Sequence, residues 1–111
     1  MILNNERVRS SKYYSVGYSP FLEKYVLAAV VSRAAWYNIY FFITEEEYDL
    51  SFTAPEKLDR LADECYKSEE PQRFIFSEKT AENNSKQNKL YEESRRYDKE
   101  HGGNSGFYER F

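Results

Sequence analysis

The chain has 111 residues, a net charge of −3 and an aromatic content of 18%. This length fits one domain, and the aromatic content predicts a core that contains large rings as well as aliphatic side chains. A single cysteine excludes an intramolecular disulfide. The first residues lack the pattern of a signal peptide, and no uninterrupted apolar run is long enough for a membrane span. We therefore expect a cytoplasmic protein with no membrane partner.

The acidic residues are concentrated in the middle of the chain. Residues 45–78 contain eleven acidic and four basic residues, whereas residues 1–44 contain two acidic and five basic residues. Binding to phosphate backbones requires a clustered basic face. The distribution of charge therefore argues against nucleic acid as a partner.

Three segments in the first half have the composition of β-strands. The sequence KYYSVGY at 12–18 alternates its side chains between two faces, which predicts a first strand. Valine, isoleucine and aromatic residues predict two further strands at 25–31 and 37–43. Because Ser19 and Pro20 also form a helix-start signal, a helix remains the alternative for the first of these two segments.

Two threonine–glutamate pairs have the spacing of a helix start. In a capping box, the threonine oxygen accepts a hydrogen bond from the glutamate backbone, and the glutamate side chain accepts one from the threonine backbone. Thr44 and Glu47 have this spacing, which predicts that a strand ends there and that a short helical turn begins. The glutamates at 45–47 would lie near the positive end of the helix dipole. The same spacing recurs at Thr53 and Glu56.

The clearest helix follows the second of these pairs. Apolar residues recur there at the i, i+3, i+4, i+7 spacing of one buried helix face. These residues are Leu58, Leu61, Ala62 and Cys65. The pattern predicts an amphipathic helix over 55–67, with Asp59, Asp63 and Glu64 on its outer face. The sequence RFIFS at 73–77 then predicts a short last strand.

The composition becomes polar after residue 78. Residues 85–100 predict an exposed helix, supported by an ion pair between Glu92 and Arg96. Such a helix would be weakly held, because it has few apolar residues to bury. The sequence ends in GFYERF, whose three aromatic residues either fold back onto the domain or dock onto another surface.

Together these elements predict an α+β fold. We expect an antiparallel sheet of three to four strands, one packed amphipathic helix and a C-terminal helical tail. Residues 1–78 are predicted to form a single α+β domain, and residues 79–111 a polar helical tail with an aromatic C-terminus.

No set of residues in the sequence has the pattern of a reactive or metal-binding centre. The only histidine, His101, lies beside two glycines, and Cys65 lies on the apolar side of the predicted helix. The carboxylates at 45–49 lack the spacing of a calcium loop, and the sequence contains no glycine-rich phosphate loop. We therefore expect a non-catalytic protein without a cofactor or a bound metal.

Acidic residues and tyrosines occur together in the middle of the chain and predict a protein-binding surface. Tyrosine supplies a large, rigid contact area, and a negative field accelerates encounter with a basic partner. The residues predicted to contact a partner are Glu45, Glu46, Glu47, Tyr48, Asp49, Asp63, Glu64 and Tyr66, together with Phe107, Tyr108 and Phe111 in the aromatic C-terminus.

The favoured hypothesis for function is a small acidic inhibitor of the immunity-protein or phage-inhibitor type. Its carboxylates would take the place of phosphates and occlude a basic site on a partner protein. One alternative is a structural or assembly subunit, which forms a homo-oligomer or a complex through its aromatic strands and C-terminal tail. A second alternative is binding of single-stranded nucleic acid by Arg7, Arg9 and Lys12 with the adjacent tyrosines. Otherwise these basic residues are a mobile arm before the first strand.

Overall fold

A mixed β-sheet forms the centre of the fold in the computed structural model, which describes residues 1–32, 34–102 and 108–111. Within these residues, six strands pair in the order β5-β4-β3-β2-β1-β6. The strands are β1 (Asn4–Arg9), β2 (Tyr14–Ser19), β3 (Lys24–Ser32), β4 (Trp36–Ile43), β5 (Phe74–Ser77) and β6 (Tyr108–Arg110). Strand β6 is parallel to β1, whereas the other neighbouring strands are antiparallel.

Three α-helices in the described part of the chain cover the sheet. They are α1 (Glu45–Thr53), α2 (Pro55–Tyr66) and α3 (Ser85–Glu100). The α+β class is therefore confirmed, but the prediction of three to four antiparallel strands is too low. The two missed strands are β1 and β6. Polar and apolar residues alternate least clearly in these two strands, and β6 has only three residues.

The register of the central strands places two apolar rows on opposite faces of the sheet. Val16 pairs with Leu27, and Leu27 pairs with Phe41, so these three side chains share one face. They pack with Leu58 of α2 in the larger core. The segment at 25–31 is therefore part of strand β3, and the alternative of a helix there is wrong.

The second core lies on the opposite face of the sheet, under α3. Its buried members Val26, Tyr40 and Phe76 come from three adjacent strands, and Leu90 and Tyr91 of α3 pack against them. The bounds of α3 agree with the predicted helix over 85–100, although the expected Glu92–Arg96 ion pair is not formed between these described residues.

Contacts with the start of the chain also hold α3 in place. The Met1 ammonium lies 3.1 Å from an Asp98 carboxylate oxygen. The backbone N–H of Ile2 donates to the same carboxylate at 3.1 Å. The C-terminal part of the helix is therefore attached to the first residues of the chain, a contact that the sequence of α3 does not reveal.

The N-terminal segment forms strand β1 rather than a mobile basic arm. The start of this segment lies close to Gly17 of β2. A Cβ atom added to Gly17 would lie 2.8 Å from the Leu3 Cβ and 3.1 Å from the Asn4 carbonyl oxygen. Glycine is therefore required for the close approach of β1 to β2.

One of the two predicted capping boxes is present. The Glu47 backbone N–H donates to the Thr44 hydroxyl at 3.1 Å, and the Thr44 N–H donates to the Glu47 carboxylate at 2.8 Å. The prediction at Thr53 is wrong, because Thr53 is the last residue of α1 and its hydroxyl donates back to the Asp49 carbonyl. Ala54 alone separates α1 from α2 and caps α2 without a side-chain hydrogen bond.

None of the helices in the described ranges combines the length and the apolar character that crossing a membrane requires.

Candidate protein-binding surface

The predicted partner-binding residues of α1 lie at one end of the central strands. Strand β3 begins there. Burial raises the pKa of the Tyr25 hydroxyl, and the nearby charges of Glu45 and Asp49 raise this pKa further. Glu45, Glu46 and Asp49 are exposed and form no ion pair within the described residues. We call these three residues the α1 acidic patch.

Two other predicted residues of α1 do not belong to this exposed patch. Tyr48 is 8% exposed, and its hydroxyl donates to the Asn5 carbonyl at 2.6 Å. Glu47 accepts two hydrogen bonds of 2.8 Å from the Arg73 guanidinium. Desolvation raises the pKa of Glu47, but these bonds and the cap hydrogen bond outweigh it and lower the pKa below its ordinary value. Both side chains therefore stabilise the fold.

The predicted residues of α2 lie toward the opposite end of the strands. Tyr66 lines grooves with Val31 and Ser32 near the end of β3, and Asp63 lines one of them. The strand length between Tyr25 and Ser32 is about 20 Å. The predicted acidic face is thus divided into two separate regions, with Asp63 exposed and Glu64 half-buried in the second.

Three large aromatic side chains are exposed around the turn between β3 and β4. Trp36 is 69% exposed, Tyr13 54% and Tyr66 43%. The rings of Tyr13 and Trp36 contact each other with centroids 6.1 Å apart. We call Tyr13, Trp36 and Tyr66 the aromatic end.

The backbone holds Tyr13 in its exposed position. Its φ of 59° lies in the left-handed region, which a tyrosine rarely adopts. Its carbonyl accepts a hydrogen bond of 2.9 Å from the Val30 N–H, which fixes this residue to β3. Trp36 is the first residue of β4 and pairs with Ser32 across the hairpin. Both rings are therefore presented by the sheet itself.

Grooves connect the members of the aromatic end. A groove of about 480 Å³ lies between the end of α2 and strands β4 and β5. A second groove of about 480 Å³ lies between α2 and strands β2 and β3, and a third of about 390 Å³ lies on the other face of the sheet. Tyr66 lines the first two and Tyr13 lines the last two, so the grooves adjoin one another around the hairpin.

Asp59 is not on the outer face of α2, where the sequence placed it. Its carboxylate accepts two hydrogen bonds from Arg9, at 3.2 and 3.0 Å, and one of 2.6 Å from the Tyr14 hydroxyl. Desolvation raises the pKa of Asp59, but these hydrogen bonds dominate and lower it below the ordinary value. The cluster joins α2 to β1 and β2.

The C-terminal residue folds back onto the domain. Phe111 packs against the larger core, and its ring meets that of Tyr14 edge-on at 6.1 Å. Its backbone N–H donates to the Val8 carbonyl at 2.9 Å. Tyr108 begins strand β6, whereas Phe107 lies outside the described residues.

Arg7 and Arg9, which were considered for binding nucleic acid, make contacts within the chain. Arg7 donates to a Glu109 carboxylate at 2.8 Å and to Ser51 at 3.0 Å, and its guanidinium lies 3.9 Å from the centre of the Phe52 ring. Arg9 is paired with Asp59. These contacts occupy both guanidinium groups.

Cys65 and His101 have structural contacts in the fold. Burial raises the pKa of the Cys65 thiol to about 11, so the thiol stays protonated at neutral pH and is a poor nucleophile. The His101 ring stacks on Tyr97 at 3.8 Å, and its Nδ1 lies 2.8 Å from the Tyr97 carbonyl oxygen. The described residues contain no cluster of three or more potential metal-binding His, Cys, Asp or Glu side chains.

Sequence reasoning did not include Tyr13 or Trp36 among the residues predicted to contact a protein partner. Tyr13 was considered only with the basic residues of the nucleic-acid alternative, and Trp36 lies just before the predicted strand at 37–43. The change of direction at SRAA just before Trp36 was the available signal, because side chains beside a hairpin turn are rarely covered by other elements.

Comparisons with protein-family models, curated proteins and solved structures give no match for this chain.

Proposed function

We propose that this chain is a non-catalytic protein-binding module that contacts its partner through the aromatic end. The observation that carries this proposal is the exposure of three large aromatic side chains around one hairpin, with Trp36 at 69%. A group of exposed rings around one part of the surface, in which Tyr13 and Trp36 contact each other, is typical of an interaction site, whereas single exposed apolar residues are common. Tryptophan and tyrosine are also the residues in which binding energy is most often concentrated.

The shape of the surface supports binding to another protein. Hot-spot side chains are usually flanked by pockets that accept side chains from the partner. Tyr66 lies between two such grooves, and Tyr13 lies between the second and the third. A partner surface can thus enclose these rings and also insert its own side chains beside them.

The charge of the protein favours a basic partner. The chain has a net charge of −3, and the α1 acidic patch has no basic side chain paired with it in the described structure. An unpaired negative field accelerates the approach of a positively charged protein. We infer an inhibitor that covers a basic site on its partner, with the aromatic end providing affinity and the acidic patch providing attraction at a distance.

Alanine substitutions at the aromatic end test this function directly. The wild-type chain, Trp36→Ala and Tyr66→Ala are immobilised and used to capture proteins from a lysate of the source organism. The captured partner is then titrated by calorimetry. Trp36→Ala is expected to weaken binding by about 2 kcal/mol, or roughly 30-fold.

Phe52→Ala is the matched control, because Phe52 is an exposed aromatic residue outside this surface, 59% accessible and stacked on Arg7. It should leave the affinity within about threefold of the wild type. Equal affinity of the wild type, Trp36→Ala and Tyr66→Ala would contradict the proposal. If sedimentation instead shows self-association that Trp36→Ala abolishes, the aromatic end joins copies of this chain.

A further inference from the structure

The groove between the end of α2 and strand β4 has an apolar floor. We call it the α2–β4 groove. Its floor is formed by Val31, Ile39, Phe41, Cys65 and Phe74. Ile39 and Phe74 are half-buried, so part of this apolar surface reaches solvent. The groove volume of about 480 Å³ has room for an aliphatic side chain and the backbone beside it.

The segment after α2 forms one side of this groove. The helix ends at Tyr66, and Ser68 has a φ of 62°, in the left-handed region. Ser68, Glu70 and Pro71 line the groove before the chain enters the sheet at Phe74. Ile39 and Phe74 stay half-buried beside this segment.

The rim of the groove is aromatic and acidic. Tyr37 and Tyr66 form its walls, and Glu70 and Glu82 lie at its edge. Among the described residues that line the groove there is no lysine or arginine. The Tyr37 hydroxyl donates to the Glu82 carboxylate at 3.2 Å, which holds this carboxylate beside the ring.

Two basic side chains of the described residues near the groove already have acidic partners. Arg73 donates two hydrogen bonds of 2.8 Å to Glu47 and one of 3.0 Å to the Phe42 carbonyl. It also pairs with Glu70 at 3.4 Å, and Glu70 accepts a hydrogen bond of 2.9 Å from the Gln72 side chain. The Lys67 ammonium is paired with Asp63 at 2.9 Å. A cation that enters the groove meets the Glu82 carboxylate, the already paired Glu70 carboxylate and the exposed Tyr66 ring.

We propose that the α2–β4 groove binds a segment of the partner protein in which an aliphatic residue is followed by arginine or lysine. The aliphatic side chain fills the apolar floor. The cationic side chain lies against the exposed Tyr66 ring and pairs with Glu82 and Glu70, a combination of charge pairing and cation–π contact. This inference rests on the proposed function and adds the chemistry of the partner segment.

Small peptides test the groove without the natural partner. The isotopically labelled full chain is titrated with the dipeptide acetyl-Leu-Arg-amide, and two-dimensional NMR follows the backbone amides. Acetyl-Leu-Glu-amide and acetyl-Gly-Arg-amide are the mismatched probes. We expect the Leu-Arg dipeptide to shift the amides of Val31, Ile39 and Phe74, and to bind more tightly than either mismatched probe.

Charge-neutral variants test the role of the rim. The double variant Glu70→Gln/Glu82→Gln should weaken binding of acetyl-Leu-Arg-amide roughly two- to fivefold. The matched control is Glu92→Gln/Glu93→Gln, which removes two exposed carboxylates from α3 and should leave the affinity unchanged. The spectrum of each variant shows directly whether the fold is retained.

Equal affinity for acetyl-Leu-Glu-amide, or amide shifts that fall outside the groove, would overturn the inference. Such a result leaves the proposed function standing if Trp36→Ala still weakens binding of the captured partner. Conversely, groove binding by the Leu-Arg dipeptide supports the inference at this site even when Trp36→Ala has no effect on capture. The two experiments therefore fail independently.

Discussion

At the scale of single residues, ion pairs between strands and helices determine how α1 and α2 lie on the sheet. Arg9 joins β1 to α2 through Asp59, and Arg73 joins the start of β5 to α1 through Glu47. In both pairs the guanidinium donates two hydrogen bonds to one carboxylate, which is the strong and directional form of this interaction. Residues that looked like parts of an acidic binding face thus stabilise the fold instead.

The pKa of Asp59 predicts an acid-dependent loss of stability. Because the folded-state pKa is lower than the ordinary value of 3.8, the carboxylate stabilises the fold above that pH. This contribution is lost as the pH falls through the lower folded-state pKa. Asp59→Asn should therefore reduce the free energy of unfolding at neutral pH, and the difference from the wild type should shrink in strong acid.

Urea unfolding followed by circular dichroism at neutral pH and below pH 3.8 measures this difference. Asp63→Asn is the control, since the one ion pair of Asp63 among the described residues is with the exposed Lys67, and its loss should change stability little. A constant difference between the wild type and Asp59→Asn over the whole pH range would show that the charge of Asp59 does not stabilise the fold.

At the scale of secondary-structure elements, two identical sequence signals have different outcomes. Thr44 and Thr53 both precede a glutamate by three residues, yet only Thr44 caps a helix. The ladder of α1 extends through Thr53, which leaves Ala54 as the junction with α2. A capping signal is local, whereas the length of the preceding helix depends on what it packs against.

Alanine substitutions at Thr44 and Thr53 should differ in how much they reduce stability. Thr44→Ala removes the acceptor of the Glu47 N–H and is expected to cost about 1 kcal/mol of stability. Thr53→Ala removes a hydroxyl at an exposed helix end and should change stability by less than about 0.5 kcal/mol. Chemical denaturation of the two variants measures both values. Similar losses in the two variants would contradict this assignment of the caps.

At the scale of the whole molecule, the α1 acidic patch and the aromatic end lie at opposite ends of strand β3. The α1 acidic patch lies where β3 begins, and the aromatic end lies where β3 turns into β4. The proposed function therefore places short-range contact with a partner and long-range attraction of it on different regions of the surface. Removal of the acidic patch should then change the rate of association more than the lifetime of the complex.

The triple variant Glu45→Gln/Glu46→Gln/Asp49→Asn tests this separation. Its association rate with the captured partner should fall at low salt and depend less on salt than that of the wild type, while its dissociation rate stays nearly constant. Surface plasmon resonance at two salt concentrations measures both rates. Glu92→Gln/Glu93→Gln/Glu100→Gln removes the same charge from α3 and is the control. If the two triple variants lower the association rate equally, the net charge of the protein sets this rate, and the position of the α1 acidic patch does not.

Local patterns in the sequence were sufficient for several elements of this fold. Alternation and β-branched residues located β2, β3 and β4, the helical spacing of Leu58, Leu61 and Cys65 located α2, and the polar segment at 85–100 was predicted as α3 with its observed bounds. These features depend on side chains only a few positions apart, so the local order of residues is enough to predict them. The α+β class follows from them.

Only the tertiary structure decided which of these residues form a surface. Tyr48 and Asp59 are held by partners more than forty positions away, and β6 exists because β1, near the other end of the chain, offers it a strand edge. Trp36 and Tyr13 are exposed because α2 and α3 cover other parts of the sheet. Which segments pair, and which part of the surface stays uncovered, depend on contacts between residues far apart in the chain, and local periodicity does not specify them.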